Sequence, residues 1–256
     1  GGVMRTLDEI RTRLFMGGRL RIVVTCEEHM IVELRDLLAG LVAALPSRPA
    51  NGQVVVETAR DQAPEARTAA VPVAFNVRFF RTVRYDHPDA PALLVLANYL
   101  RDTFLHRELR EKGGAYGGYA QAGVASATFY LGSYRDPNIV RTYEVFDEAV
   151  RWVLDSAIDP EHLKEAILGA CGDVDPLESP DIKGRRESTY RATGFTRELR
   201  EAFKQRLLEV SAEDLRRVTA RYLAEATPIQ TTVAGADLVE VARAEKPGIF
   251  EIVAPV

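Results

Sequence analysis

The sequence has little cysteine and no long apolar run. Its two cysteines, Cys26 and Cys171, are far apart and belong to no CxxC or Cys/His pattern, so we expect free thiols and neither a disulfide framework nor a structural zinc site. No stretch approaches the roughly 18 apolar residues of a membrane span. The N-terminus lacks an apolar core followed by a small-residue cleavage site, so we expect no secretory signal and a soluble protein.

The charge balance also excludes two classes of partner. The 256 residues carry 33 basic and 37 acidic side chains, for a net charge of -4, and no dense stripe of Lys or Arg is present. A nucleic-acid partner and an anionic membrane surface are therefore not expected. The four histidines are isolated, with no second histidine at i+4, which indicates no metal site within this chain. They are His29, His87, His106 and His162.

The periodicity of apolar residues divides the chain into three parts. Residues 1–45 predict a helix at 6–15, a strand at 20–25 and an amphipathic helix from 31 to 45, like the end of a domain related to the main one. Residues 46–71 are rich in proline and without clear period, and we interpret them as a linker. Residues 72–256 form the main domain.

The main domain alternates a few strands with many helices. The pattern predicts a strand at 73–83, a long helix from about 90 to 111 that ends at Gly113 and Gly114, and a hairpin of strands 115–122 and 126–134. Asp136 and Pro137 have the residue types of an N-cap and a first helical position. Helices are then predicted at 138–155, 160–170, 182–191, 196–210 and 212–224, the last with a capping box from Ser211 to Asp214, before a closing strand at 228–234. Because strands and helices segregate, we predict an α+β fold, a layer sandwich of a largely antiparallel sheet with helices on one face.

The segment Arg-Glu-Lys-Gly-Gly-Ala-Tyr-Gly-Gly-Tyr, residues 110–119, is the densest motif. A phosphate loop is excluded because the glycines follow a helix and no Gly-Lys-Ser/Thr closes the run. One interpretation is structural: a helix cap, then a strand whose glycines let another backbone come close, with Arg110 favouring the helix C-terminus. The other is functional: a flexible glycine hinge brings Arg110 and Tyr116 together as two donors to an oxyanion.

Two segments carry a family resemblance. The run Phe-Leu-His-x-Glu-Leu-Arg-Glu-Lys-Gly-Gly-Ala-Tyr-Gly-Gly at 104–118, followed by Ser-Tyr-Arg-Asp-Pro-Asn at 133–138, resembles the C-terminal domain of presequence protease-type enzymes. These belong to the insulinase/pitrilysin-type zinc metallopeptidases. The resemblance covers about residues 72–225, and 19–45 look like the end of the preceding repeat.

The resemblance implies a division of labour. Such enzymes consist of four related domains in two halves that close around a chamber, with zinc held in the N-terminal half by an inverted His-x-x-Glu-His motif. The C-terminal half holds no metal and supplies an Arg and a Tyr to the substrate carbonyl; these map onto Arg110 and Tyr116. Gly113, Gly114, Gly117 and Tyr119 are then the implied substrate-binding residues, with Tyr119 standing where the family usually has glycine.

The sequence lacks the zinc motif, so this chain would be the non-zinc C-terminal portion of a zinc metalloendopeptidase that degrades unstructured peptides. We expect it to need the N-terminal zinc-binding half, to hold no cofactor itself and to be inactive alone, in a bacterial cytoplasm or an organelle matrix. The alternative is a non-catalytic scaffold or partner subunit of a processing-peptidase-like assembly.

Overall fold

The structure, a computed structural model, describes residues 2–14, 20–45 and 63–256. Its contacts divide the chain into two compact units, which we describe separately. The first contains the described residues of Gly1–Thr58 together with Glu178–Ala192, and the second contains those of Ala59–Leu177 together with Thr193–Val256.

The first unit is helical. Helix α1 spans Gly2–Leu14, a short 3-10 turn spans Glu28–Met30, and α2 spans Ile31–Ala43, so both helices predicted here are confirmed. The strand predicted at 20–25 is wrong, because residues 20–27 have no regular structure. An alternating apolar segment forms a strand only where a neighbour takes up its backbone hydrogen bonds, and no strand of the described chain pairs with this one.

The second unit contains a sheet and most of the helices. In chain order its elements are β1 Glu65–Thr68, β2 Ala74–Arg81, α3 Ala90–Leu100, which continues as a π-helix at Arg101–Lys112, β3 Gly117–Gly123, β4 Thr128–Asp136, α4 Val140–Asp155 and α5 Pro160–Val174. Helix α6 Pro180–Thr193 lies mainly in the first unit. The rest are α7 Arg197–Leu208, α8 Ala212–Thr219 with a π-helical end at Ala220–Ala224, β5 Ile229–Ala234, α9 Ala236–Glu245 and β6 Ile252–Pro255.

The sheet has the strand order β3-β4-β2-β5-β1-β6. Its first four strands are antiparallel to one another, whereas β1 is parallel to both β5 and β6. The predicted α+β class with a largely antiparallel sheet is therefore confirmed. Strand β1 lies within the predicted linker 46–71, of which residues 46–62 fall outside the described part of the chain; α9 and β6 follow the strand that the pattern treated as the last.

Strand β2 buries polar residues. The apolar Phe75, Val77 and Phe79 share one side, as the alternation predicts, but that side is half-exposed. The opposite side, with Asn76 at 0% and Arg78 at 6% exposure, faces the helices. Alternation identifies a strand without saying which side is covered, so the position of the helix layer is decided by tertiary packing.

The buried polar groups of β2 are paired, as burial requires. Asn76 donates from Nδ2 to Ser133 Oγ at 3.0 Å and accepts from Thr232 Oγ1 at 2.8 Å. Arg78 donates to Gln230 Oε1 at 2.7 Å and forms an ion pair with Asp147. This layer joins the sheet centre to α4.

The start of α3 is tied to α8 and its π-helical end. Asp89, 3% exposed, accepts hydrogen bonds from Arg217 Nη1 at 2.6 Å and Tyr222 Oη at 2.7 Å. The capping box predicted from Ser211 to Asp214 is confirmed at the start of α8. In contrast, the predicted cap at Asp136 is displaced, because β4 runs through Asp136 and α4 begins only at Val140.

Among the described residues, no helix has the length and apolar character of a membrane span.

Candidate active site

Arg110 lies at the end of the long helix, and none of the described carboxylates pairs with it. The predicted left-handed cap is confirmed at Gly114, whose φ is +76°. Two neighbouring cations are neutralised: Arg107 and Lys112 each donate to Glu108 at 2.9 Å. Burial alone would raise the pKa of Glu108, but hydrogen bonds from Lys112 and Arg107 outweigh it and lower that pKa. Arg110 is exposed, and no carboxylate of the described residues lies within ion-pair distance of it.

Tyr116 lies beside Arg110. The guanidinium carbon of Arg110 is 5.7 Å from the centroid of the Tyr116 ring, within cation–π range. Tyr116 is 65% exposed, and within the described chain its hydroxyl has no hydrogen-bond partner. The structure thus brings together the two side chains that the sequence predicted as a pair, with both sets of donors open to solvent.

The backbone between the two residues is held at every step, which corrects the expectation of a flexible glycine hinge. Three successive N–H groups are hydrogen-bonded: Gly114 to Arg110 O at 3.2 Å, Ala115 to Leu109 O at 2.9 Å, and Tyr116 to Arg135 O at 3.3 Å. The first two are helix-capping bonds and the third joins the turn to β4. The glycines here therefore permit a particular fixed conformation.

The glycines of the motif differ in what surrounds them. A Cβ on Gly113 would come within 2.7 Å of Leu109 O, and one on Gly118 within 2.5 Å of Leu109 Cδ1. The structural interpretation, a strand glycine that lets another backbone come close, is therefore confirmed at Gly118, which faces Leu105 O, whereas Gly113 is the helix cap. At Gly117 a Cβ would meet no atom of the described residues within 4 Å other than those of its chain neighbours. Free space thus lies directly above the backbone next to Tyr116.

A β-bulge adds a second aromatic ring, that of Tyr134, beside Tyr116. The pairing of β2 with β4 shifts at Tyr134 and Arg135, opposite Phe75, and Arg135 has a φ of +50°. The Tyr134 ring contacts the rings of Tyr116 and Phe75 edge-on, with centroids 5.9 Å and 5.3 Å apart. Bulges re-aim side chains, and this one turns Tyr134 toward the predicted pair. The sequence motif at 133–138 contained these residues, but nothing in it assigned Tyr134 a place.

Tyr119 lies on the same open face of the sheet as Tyr134. It pairs with Gly132, and its ring occupies the space that a Cβ on Gly132 would need. Its edge contacts Tyr130 at a centroid distance of 6.0 Å, and burial, together with the Tyr130 hydroxyl, raises the pKa of Tyr119. The Tyr119 ring therefore covers a glycine on the neighbouring strand.

The described residues offer few side chains that could coordinate a metal ion together. Within the described ranges no group of three or more His, Cys, Asp or Glu side chains is placed to hold a metal ion. The described residues therefore do not fit a zinc ion.

Comparison with solved structures identifies the class to which this fold belongs. An M16 peptidase inactive domain from Pseudomonas fluorescens aligns with a TM-score of 0.64 at 15% identity, covering 91% of this chain and 57% of that one. At this level of identity the likeness shows the fold alone, that of the M16 peptidase domains.

The family is more specific. Residues 72–226 match the model of the PreP C-terminal domain, and the chain belongs to that family. It is 31% identical to the mitochondrial presequence protease of Eremothecium gossypii over 92% of this chain and 24% of the relative. It is 26% identical to presequence protease 1 of Arabidopsis thaliana, chloroplastic and mitochondrial, over 98% of this chain and 23% of the relative. The chain spans less than a quarter of either protein.

Proposed function

We propose that this chain is the non-zinc C-terminal portion of a zinc metalloendopeptidase that degrades unstructured peptides, and that Arg110 and Tyr116 bind the carbonyl of the scissile bond. One observation carries the proposal: an exposed arginine, which pairs with no carboxylate in the described part of the chain, lies against an exposed tyrosine, 5.7 Å from guanidinium carbon to ring centroid, on a hydrogen-bonded turn. Membership of the PreP C-terminal domain family supports the same function.

The chemistry of the pair suits amide hydrolysis. Attack on the carbonyl places negative charge on its oxygen, and preorganised donors aimed at that charge lower the barrier. Arg110 offers a planar fork of N–H donors that stays charged, and Tyr116 adds a neutral O–H donor. Because both bonds strengthen as the charge develops, they raise kcat more than they tighten substrate binding.

The peptide would lie over Gly117. Apart from its chain neighbours, no described residue has an atom within 4 Å of the position a Cβ would take there, so a substrate backbone can approach the strand beside Tyr116. The zinc ion, which supplies a Lewis acid and an activated water, would be held by the N-terminal half of the same polypeptide. The donors of this chain would reach the substrate only when the two halves close, which couples turnover to closure.

The exposed pair favours an enzyme over a scaffold subunit. A purely structural subunit has no use for an unpaired guanidinium beside a phenol, since two exposed polar donors add nothing to packing. By the names of the relatives, we propose an organelle matrix or its bacterial counterpart, the cytoplasm, as the compartment.

The test is steady-state kinetics of the intact polypeptide with a fluorogenic peptide. Arg110→Ala and Tyr116→Phe should each lower kcat by roughly 10²–10³, the usual loss of one oxyanion donor. Arg107→Ala and Tyr130→Phe are matched controls, because Arg107 is paired with Glu108 and Tyr130 bonds Gln121. Near-wild-type turnover of both site variants would remove the pair from the reaction.

A further inference from the structure

Asn138 holds the turn that carries the pair. Its side-chain Nδ2 donates to Gly113 O at 2.7 Å. Gly113 lies midway between Arg110 and Tyr116 in the chain, so a change at its carbonyl moves the backbone on both sides. This contact joins residues 25 positions apart in sequence.

Asn138 is itself fixed by buried groups. Its backbone N–H donates to Asp136 Oδ1 at 2.9 Å, and its carbonyl accepts from Asn76 Nδ2 at 2.9 Å. Asp136 is 1% exposed and also accepts from Thr142 Oγ1 at 2.6 Å. The amide that reaches Gly113 is therefore anchored both in the centre of the sheet and in the first turn of α4.

The segment that contains Asn138 is hydrogen-bonded to the turn at a second point. Arg135, left-handed in the bulge, accepts the Tyr116 N–H through its carbonyl at 3.3 Å. Residues 135–138 thus hold the turn at Gly113 on one side and at Tyr116 on the other. A rigid support of this kind is what a pair of donors needs in order to meet a single oxygen atom.

We propose that Asn138 is the positioning residue of the Arg110–Tyr116 pair: its amide fixes Gly113 O and so sets where the guanidinium and the phenol lie. The inference rests on the proposed function, because positioning has a catalytic effect only if the pair acts on substrate. Asn138 itself does not contact the reacting atoms.

The variant Asn138→Asp removes the donor with almost no change of shape. A carboxylate oxygen would then face both Gly113 O and Asp136 Oδ1, which lie 2.7 Å and 3.4 Å from the present Nδ2, and the repulsion would displace the turn. Because a misplacement of about 1 Å can cost 10²-fold in rate, we expect kcat of the intact polypeptide to fall by roughly 10- to 100-fold, with a much smaller change in KM.

A spectroscopic signal separates positioning from a general loss of stability. In the full chain labelled with 3-fluorotyrosine, the Tyr116 resonance is assigned by its loss in Tyr116→Phe. We expect Asn138→Asp to shift or broaden that resonance. The matched control is Asn98→Asp, the same change at an asparagine that is 2% exposed and whose Nδ2 bonds Asp173 Oδ2 at 3.0 Å, with no contact to the turn. The control should lose stability and leave the resonance in place.

The outcomes distinguish this inference from the proposed function. If Asn138→Asp changes neither the Tyr116 resonance nor kcat more than Asn98→Asp does, while Tyr116→Phe still abolishes turnover, the positioning role is wrong and the function stands. If Tyr116→Phe and Arg110→Ala retain turnover, both proposals fail together.

Discussion

At the scale of single residues, two adjacent glycines of β3 face different surroundings. Gly118 is pressed against the long helix, where an added Cβ would come within 2.5 Å of Leu109 Cδ1 and 3.1 Å of Leu105 O. Gly117 faces open space. Neither has the positive φ that would forbid a side chain, so space alone decides the effect of substitution.

We therefore predict opposite results for two alanine variants. Gly118→Ala should destabilise the fold by about 1–3 kcal/mol through overpacking. Gly117→Ala should change stability by less than about 0.5 kcal/mol but lower kcat/KM of the intact polypeptide, because its methyl group occupies the proposed path of the peptide. Chemical denaturation and peptide kinetics measure the two effects. Unchanged kinetics in Gly117→Ala would place the peptide elsewhere.

The residue order alone left two interpretations open, a capping role for Arg110 and a functional Arg110–Tyr116 pair, and the family resemblance favoured the pair. The Asn138 contact and the Tyr134 ring could not be predicted in this way. Both depend on the register of β4 against β2 and β3 and on a bulge at Arg135, and register is a tertiary property that local pattern does not contain.

At the scale of elements, the start of α3 depends on ionised Asp89. Burial alone would raise the pKa of Asp89, but hydrogen bonds from Arg217 and Tyr222 outweigh it and lower that pKa below 3.8. Because the folded pKa lies below the unfolded one, this contribution to stability is present above pH 3.8 and is lost as the pH falls through the folded value. Burial and the Asp89 carboxylate raise the pKa of Tyr222 to about 12, so its O–H donor is retained until the pH rises through that value.

We predict that Asp89→Asn lowers the free energy of unfolding by about 1.5–3 kcal/mol at neutral pH, the value of a hydrogen bond to a charged group. On acidification the wild type should lose more stability than Asp89→Asn, so that the two converge below the folded pKa of Asp89. Urea denaturation over a pH series measures this. Parallel curves at every pH would show that Asp89 does not carry the acid sensitivity.

The long helix and the start of α8 were predicted correctly, whereas the strand predicted at 20–25 was wrong and β1 was not predicted. The long helix has a continuous apolar stripe and a glycine end, and the capping box of α8 is local by nature. Strand β1, Glu-Ala-Arg-Thr, has four residues with only Ala66 buried, which gives no alternation to detect. It is a strand because β5 and β6 pair with both of its sides.

At the scale of the whole molecule, the proposed oxyanion donors Arg110 and Tyr116 lie in a chain whose described part has no group of three His, Cys, Asp or Glu side chains that could hold a metal. We predict that the purified 256-residue chain neither binds stoichiometric zinc nor cleaves peptides. We expect the intact polypeptide to bind zinc and to cleave peptides. Metal analysis by mass spectrometry and a fluorogenic peptide assay measure this. Zinc-dependent hydrolysis by the chain alone would overturn the proposed division between the halves.

The central claim is that Arg110 and Tyr116 bind the tetrahedral state of the reaction more tightly than they bind the substrate in its ground state. The most direct measurement is the inhibition constant of a phosphinic peptide, whose tetrahedral centre mimics that state, in the wild type, Arg110→Ala, Arg110→Lys and Tyr116→Phe forms of the intact polypeptide. We expect the inhibition constant to rise in proportion to KM/kcat across the series while KM changes little. An inhibition constant that stays constant while kcat falls would contradict the account.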